Sequence, residues 1–126
     1  MGKRQGKKVQ IYRVRIAYQA VYPDPWSMKA GDPLGVEHKE SEWAGWLWCT
    51  DVQGQGRWVP ERYLEREGDE AVAQRTYHAT ELSVSEGEMV TGGEKESGWI
   101  WCQNEAGHSG WVPLENLVHT NYEPEA

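Results

Sequence analysis

An internal repeat is the feature of this sequence that most restricts its fold. The segment WLWC at residues 46–49 recurs as WIWC at residues 99–102, 53 positions later. The segment WVP at residues 58–60 recurs at residues 111–113, again 53 positions later. The two copies therefore carry the same blocks at the same spacing, which indicates a duplicated structural unit.

Upstream of these blocks the copies are offset by larger steps. SMKAGD at residues 27–32 matches SVSEGE at 83–88 with an offset of 56, and AY at 17–18 matches TY at 76–77 with an offset of 59. The first copy is thus longer by three residues in each of two places. Loops tolerate such insertions and strands do not, so the changes in offset mark loops between strands that both copies share.

Each copy reads as short strands separated by turns. Fourteen Gly and six Pro favour many tight turns over long helices. The run YPDP at residues 22–25 ends the first strand region, and QGQG at 53–56 and EAGH at 105–108 are typical of hairpin turns. About five strands in a unit of roughly 55 residues predict an all-β protein made of two small five-stranded barrels in tandem.

The repeat also predicts a division of the chain. We expect a first barrel at residues 10–65 and a second at 71–119, joined by a polar linker at 66–70. Residues 1–9 are predicted to be a basic disordered arm, and residues 120–126 a tail.

Charge is distributed unevenly. Residues 1–15 carry six cations and no acid, whereas the rest of the chain carries seven cations and twenty acids. Because residues 16–126 are this acidic, we expect them to repel nucleic acid and anionic membranes. The basic arm keeps nucleic-acid binding open as an alternative. No apolar stretch follows the basic residues as it would in a secretory signal, so a cytoplasmic location is expected.

Nothing in the sequence has the spacing of a catalytic, metal or cofactor site. His108-Ser109 has no orienting acid beside it, and residues 91–93 (TGG) lack the lysine of a phosphate-binding loop. Strand alternation places Cys49 and Cys102 where a small core residue belongs. We therefore expect no enzyme, no cofactor and no metal.

These motifs resemble the Src-homology-3 (SH3) domain, twice over. The family pattern leads from an Ala-Leu-Tyr-Asp-Tyr opening through Gly-Asp and Trp-Trp to Gly-Tyr-Ile-Pro. The second copy supplies GW at residues 98–99 and GWVPLENL at 110–117, and the first supplies GW at 45–46 and RWVPERYL at 57–64. The chain resembles most the variant tandem form found in prokaryotic proteins.

The resemblance implies an aromatic peptide-binding groove in each barrel. The acids that read a ligand's arginine would be Asp24, Glu37, Glu40 and Glu42 in the first copy, and Glu81, Glu94 and Glu96 in the second. Because Asn116 stands where the family has its last groove tyrosine, the first groove is the stronger candidate. By position, the first groove would use Tyr18, Trp46, Trp58, Pro60 and Tyr63, and the second Tyr77, Trp99, Trp111, Pro113 and Asn116.

Three functions follow from this reading. The leading hypothesis is a non-catalytic module that binds a protein or peptide, including proline-rich segments, mainly through the first barrel. A second hypothesis is a structural scaffold or self-association domain whose grooves are covered. The third, and least favoured, is nucleic-acid binding through the basic N-terminal arm.

Overall fold

The chain is all-β, as its turn-rich sequence predicts. The computed structural model describes residues 9–40 and 43–120, so nearly all of the predicted basic arm and tail lie outside the described residues. The strands are short and their burial alternates, as in β1, where Tyr12 and Val14 are buried and their neighbours are exposed. The described strands are β1 (Gln10–Val14), β2 (Ser27–Met28), β3 (Pro33–Glu37), β4 (Trp46–Thr50), β5 (Gly56–Pro60), β6 (Leu64–Glu67), β7 (Glu70–Ala73), β8 (Tyr77–His78), β9 (Met89–Glu96), β10 (Trp99–Gln103), β11 (Ser109–Pro113) and β12 (Leu117–His119).

These strands form two units. The continuous unit, Tyr22–Thr80, holds a five-stranded antiparallel sheet in the order β5-β4-β3-β7-β6 and the short pair β2–β8. The split unit combines Met1–Val21 with Glu81–Ala126, and its five-stranded antiparallel sheet has the order β11-β10-β9-β1-β12. The predicted pair of five-stranded SH3-like sheets is confirmed, although neither sheet closes into a complete barrel.

Each unit contains the opening strand of the other repeat copy. The strand β1 opens the first copy but pairs with β9 and β12, which belong to the second. The strand β7 opens the second copy but pairs with β3 and β6 of the first. The two opening strands are therefore exchanged within one chain.

The exchange preserves the register of every pairing. Val14 lies opposite Leu117, and the residue 59 positions after Val14, Ala73, lies opposite Leu64, which is 53 positions before Leu117. The offsets are those of the sequence repeat. Each opening strand thus occupies in one unit the position that its counterpart occupies in the other.

A two-residue turn explains why the exchange occurs. Glu67 and Glu70 close the hairpin between β6 and β7, so that only Gly68 and Asp69 form the loop. Gly68 has φ of 64°, a conformation that glycine adopts without steric cost and that two-residue hairpins require. This local hairpin places β7 beside β6, and β1 then pairs with the equivalent edges of β9 and β12.

The observed division of the chain therefore differs from the predicted one. Residues 66–70, predicted as a linker, are the end of a β-hairpin, and the strand that opens each predicted barrel lies in the other unit. The prediction assumed that each copy folds on itself, which the two-residue turn prevents because it pairs β7 with the strand immediately before it.

Small, fully covered side chains fill the core of the split unit. Val14 from β1 packs with Ile100 and Val112 from the hairpin β10–β11, and none of the three is measurably exposed. Trp26 is 5% exposed in the continuous unit and stands 56 positions before Leu82, a core residue of the split unit. The longer first copy therefore uses a larger side chain at this core position.

Candidate functional site

The register of two equivalent hairpins places aromatic side chains and prolines on one face. Trp46 in β4 lies opposite Pro60 in β5, and Trp99 in β10 lies opposite Pro113 in β11. Side chains alternate along a strand, so the neighbours of these tryptophans and prolines in each strand point to the opposite face, toward the core. Each hairpin thus presents a tryptophan beside a buried proline, at the end where the 3₁₀ turn Glu61–Tyr63 or Leu114–Asn116 begins.

In the split unit this hairpin face meets the segment that follows β1. The rings of Tyr18 and Trp99 are 5.7 Å apart, edge to face at 82°, and both side chains are half-buried. Ile16, two residues before Tyr18, is 48% exposed. The side-chain amide of Asn116 donates to the carbonyl oxygens of Ile16 and Ala17, 3.1 and 3.3 Å away. The result is an apolar surface with one amide and one phenol at its margin.

The carboxylate of Glu81 fixes the tyrosine of this surface. The Tyr18 hydroxyl donates to Oε1 of Glu81 at 2.7 Å, and the backbone N–H of Val21 donates to the same oxygen at 2.8 Å. Burial, and next the hydrogen bond to Glu81, raise the pKa of Tyr18 well above its ordinary range. Tyr18 therefore stays protonated and held in place, and Glu81 is engaged within the protein.

The corresponding surface of the continuous unit is covered. Tyr63 is 3% exposed and Tyr77 is 5% exposed, with ring centroids 5.6 Å apart. The hydroxyl of Tyr77 donates to the carbonyl oxygen of Trp58 at 3.1 Å. The Arg75 guanidinium lies 4.2 Å from the centre of the Tyr63 ring and covers it.

The structure regroups the residues predicted for the two grooves. Tyr18 lies in the split unit, in contact with Trp99, instead of joining Trp46. Tyr77 lies in the continuous unit with Tyr63, instead of joining Trp99. The exchange of β1 and β7 carries both tyrosines with it. The split unit thus holds Tyr18, Trp99, Trp111, Pro113 and Asn116, and the continuous unit holds Asp24, Trp46, Trp58, Pro60, Tyr63 and Tyr77.

Accessibility further separates these predicted residues. Trp46, Trp58 and Trp99 are half-buried, and Asp24 is exposed. Trp111 is 5% exposed and packs edge to face against Trp101, 5.4 Å away. Four further predicted residues are buried: Pro60, Tyr63, Tyr77 and Pro113.

One difference between the copies governs access to the two grooves, and it falls where the family has its first opening tyrosine. Ile16 and Arg75 are counterparts at the offset of 59. Ile16 leaves apolar surface open in the split unit, whereas Arg75 covers Tyr63 in the continuous unit. The different size and charge of these two side chains therefore determine which groove is open.

The two cysteines take structural positions, as alternation predicted. Both are buried free thiols. Burial raises the pKa of Cys49 to about 11 and that of Cys102 to about 12. Such thiols stay protonated at neutral pH and are poor nucleophiles or metal ligands.

No helix within residues 9–40 and 43–120 has the length and apolarity to cross a membrane. In the same part of the chain, no three His, Cys, Asp or Glu side chains come together as a metal site.

Comparison with known families identifies a variant SH3 domain at residues 71–119. This range begins within β7, so the matched sequence includes the strand that the structure places in the continuous unit. Neither the curated proteins nor the solved structures that were compared gave a match. SH3 domains are generally non-enzymatic modules that bind proteins or peptides.

Proposed function

We propose that this chain is a tandem SH3-like protein that binds an extended segment of a partner protein, and that its principal groove is the surface of the split unit. The observation that carries the proposal is the pair formed by Tyr18 and Trp99, which come from different repeat copies. Both rings are half-buried and therefore keep part of their surface for a ligand.

The chemistry of this surface fits an extended, largely apolar peptide. Ile16, two residues before Tyr18, is 48% exposed, and the buried Pro113 lies directly opposite Trp99 on the neighbouring strand. Proline-rich segments fit such a surface because their extended conformation loses little entropy on binding. A partner of this kind, and a cytoplasmic setting for the encounter, are parts of the proposal.

For the continuous unit we propose the covered-groove alternative. Tyr63 and Tyr77 are almost fully buried, and Arg75 stacks on Tyr63. A ligand would have to displace Arg75 before it reached the tyrosine ring. This unit therefore contributes stability and a second copy of the fold, and its groove is less open to a ligand than that of the split unit.

A library of displayed extended peptides, followed by calorimetry on the selected sequences, tests the proposal. Trp99→Ala should weaken the selected peptides by about 30-fold, because a central aromatic contributes roughly 2 kcal/mol or more to an interface. Trp46→Ala, the equivalent change in the continuous unit, is the matched control and should leave affinity within about threefold. Loss of binding in the Trp46 variant with none in the Trp99 variant would move the groove to the other unit.

A further inference from the structure

The continuous unit carries an aromatic cluster that the groove does not use. The indole of Trp48 lies 5.2 Å from that of Trp58, edge to face at 75°, and 5.6 Å from the ring of Tyr22. Gly56 makes this arrangement possible, because a Cβ there would lie 2.5 Å from the Trp48 indole. Three rings thus converge, with Trp48 in the centre.

A cation of the chain itself occupies this cluster. The Lys39 ammonium nitrogen lies 3.6 Å from the centre of a Trp48 ring, within the range of a strong cation–π contact. Trp48 is 9% exposed with this lysine above it. The Lys39 side chain is itself exposed, so its ammonium group can leave the ring for water.

An acid accompanies the rings on the same face of the sheet. Glu37 in β3 lies directly opposite Trp48 in β4, and directly opposite residues of antiparallel strands project to the same side. The continuous unit has eleven acids and six cations, a net charge of −5 (6 − 11). A positively charged partner is therefore attracted at longer range, and Glu37 supplies one carboxylate on the same face as the rings.

A second cation lies at the Tyr22 side of the cluster. The Arg57 guanidinium lies 5.1 Å from the Tyr22 ring and donates from Nη1 to the Gly56 carbonyl oxygen at 2.7 Å. Arg57 is thereby held at the Tyr22 side. The face of Trp48, beside Glu37, is the position at which one cation can replace another.

We propose that the Trp48 face is a binding site for the ammonium group of a lysine side chain from a partner protein, and that Lys39 occupies it as an internal competitor. The partner's lysine would take the place of the Lys39 ammonium over the indole, beside the Glu37 carboxylate. The inference extends the proposed function, because it names the partner chemistry of a second surface. Of the residues predicted for a groove, it shares Trp58 and the acid Glu37.

The test uses the full chain and a five-residue glycine–serine peptide with one central lysine, followed by the Trp48 indole N–H signal in NMR. Lys39→Gln should tighten binding about three- to thirtyfold relative to the unaltered protein, because the internal competitor is gone. Lys95→Gln in β9 is the matched control, and it should leave affinity unchanged. The same peptide with acetyl-lysine, which has lost its charge, should not shift the Trp48 signal in either protein.

Two results would overturn the inference. One is equal affinity of the unaltered and Lys39→Gln proteins for the lysine peptide, and the other is equal binding of the acetylated peptide. Glu37→Gln supplies a second measure, since it keeps the shape of the site and should weaken the lysine peptide in the Lys39→Gln background. Trp99→Ala should leave lysine binding intact, so a failure of the groove proposal is distinguishable from a failure of this one.

Discussion

A disulfide placed between β1 and β12 would test the strand exchange most sharply. Arg13 and Val118 lie directly opposite each other in the split unit. Opposite residues in antiparallel strands have Cα atoms about 4.5–5.5 Å apart, which is within the range that a disulfide spans. Arg13 is exposed and Val118 is half-buried, so two cysteines here leave the core intact. We expect Arg13→Cys with Val118→Cys to form the bond under mild oxidation.

The structure also sets the size of the expected effect. The link from residue 13 to residue 118 closes a loop of 106 residues. Chain entropy alone gives about 4.7 kcal/mol for a loop of roughly 100 residues, and engineered disulfides commonly deliver about 2–4 kcal/mol. The oxidised variant should therefore be more stable to urea than its reduced form by about 2–4 kcal/mol.

The control is the pair that would be adjacent if each copy folded on itself. Glu65 is the counterpart of Val118, 53 positions earlier, so Arg13→Cys with Glu65→Cys reports the unexchanged arrangement. Mass spectrometry of unreduced digests identifies the bonds, and the native thiols should not interfere because burial keeps them protonated. A quantitative, stabilising link from position 13 to position 65, with none to position 118, would refute the exchange.

Three further outcomes follow from single residues. Gly110→Ala should lower the free energy of unfolding in urea by about 1–3 kcal/mol, because its Cβ would lie 2.7 Å from neighbouring backbone atoms. Gly93→Ala is the control and should be tolerated, because a Cβ there meets nothing within 4 Å. Cys49 and Cys102 should react slowly with a thiol reagent at pH 8 and quickly in denaturant, since burial raises both pKa values, to about 11 and 12; equal rates in both states would contradict their burial. The folded-state pKa of Tyr18 is raised above its unfolded value of about 10, so its contribution to stability is complete below pH 10 and is lost as pH rises further. Tyr18→Phe should flatten that alkaline loss in urea titrations.

The repeat in the sequence was sufficient to predict the class of fold. Matching blocks at an offset of 53 gave the two hairpins, and strand alternation placed Cys49 and Cys102 in the core. These are local properties, because a hairpin depends on residues close together in the chain. They transferred without change from the sequence to the structure.

The partners of β1 and β7 could not be obtained by matching one copy to the other. Equivalent strands of a duplicated unit have equivalent edges, so the repeat alone leaves both pairings open. The decision rests on Gly68 and Asp69, a glycine-containing pair that is typical of a two-residue hairpin. Residues 66–70 were instead interpreted as a polar linker, so the pairing of β7 with β6 was not predicted. The residues grouped in each groove differ from the prediction for the same reason.

The contact between Tyr18 and Trp99 is the most direct test of a groove assembled from both copies. A nuclear Overhauser measurement on the full chain, with tryptophan and tyrosine rings selectively labelled, observes it without any substitution. We predict cross-peaks between the Tyr18 ring and the Trp99 indole, whose centroids are 5.7 Å apart. Cross-peaks from Tyr18 to Trp46 instead, with none to Trp99, would contradict the account.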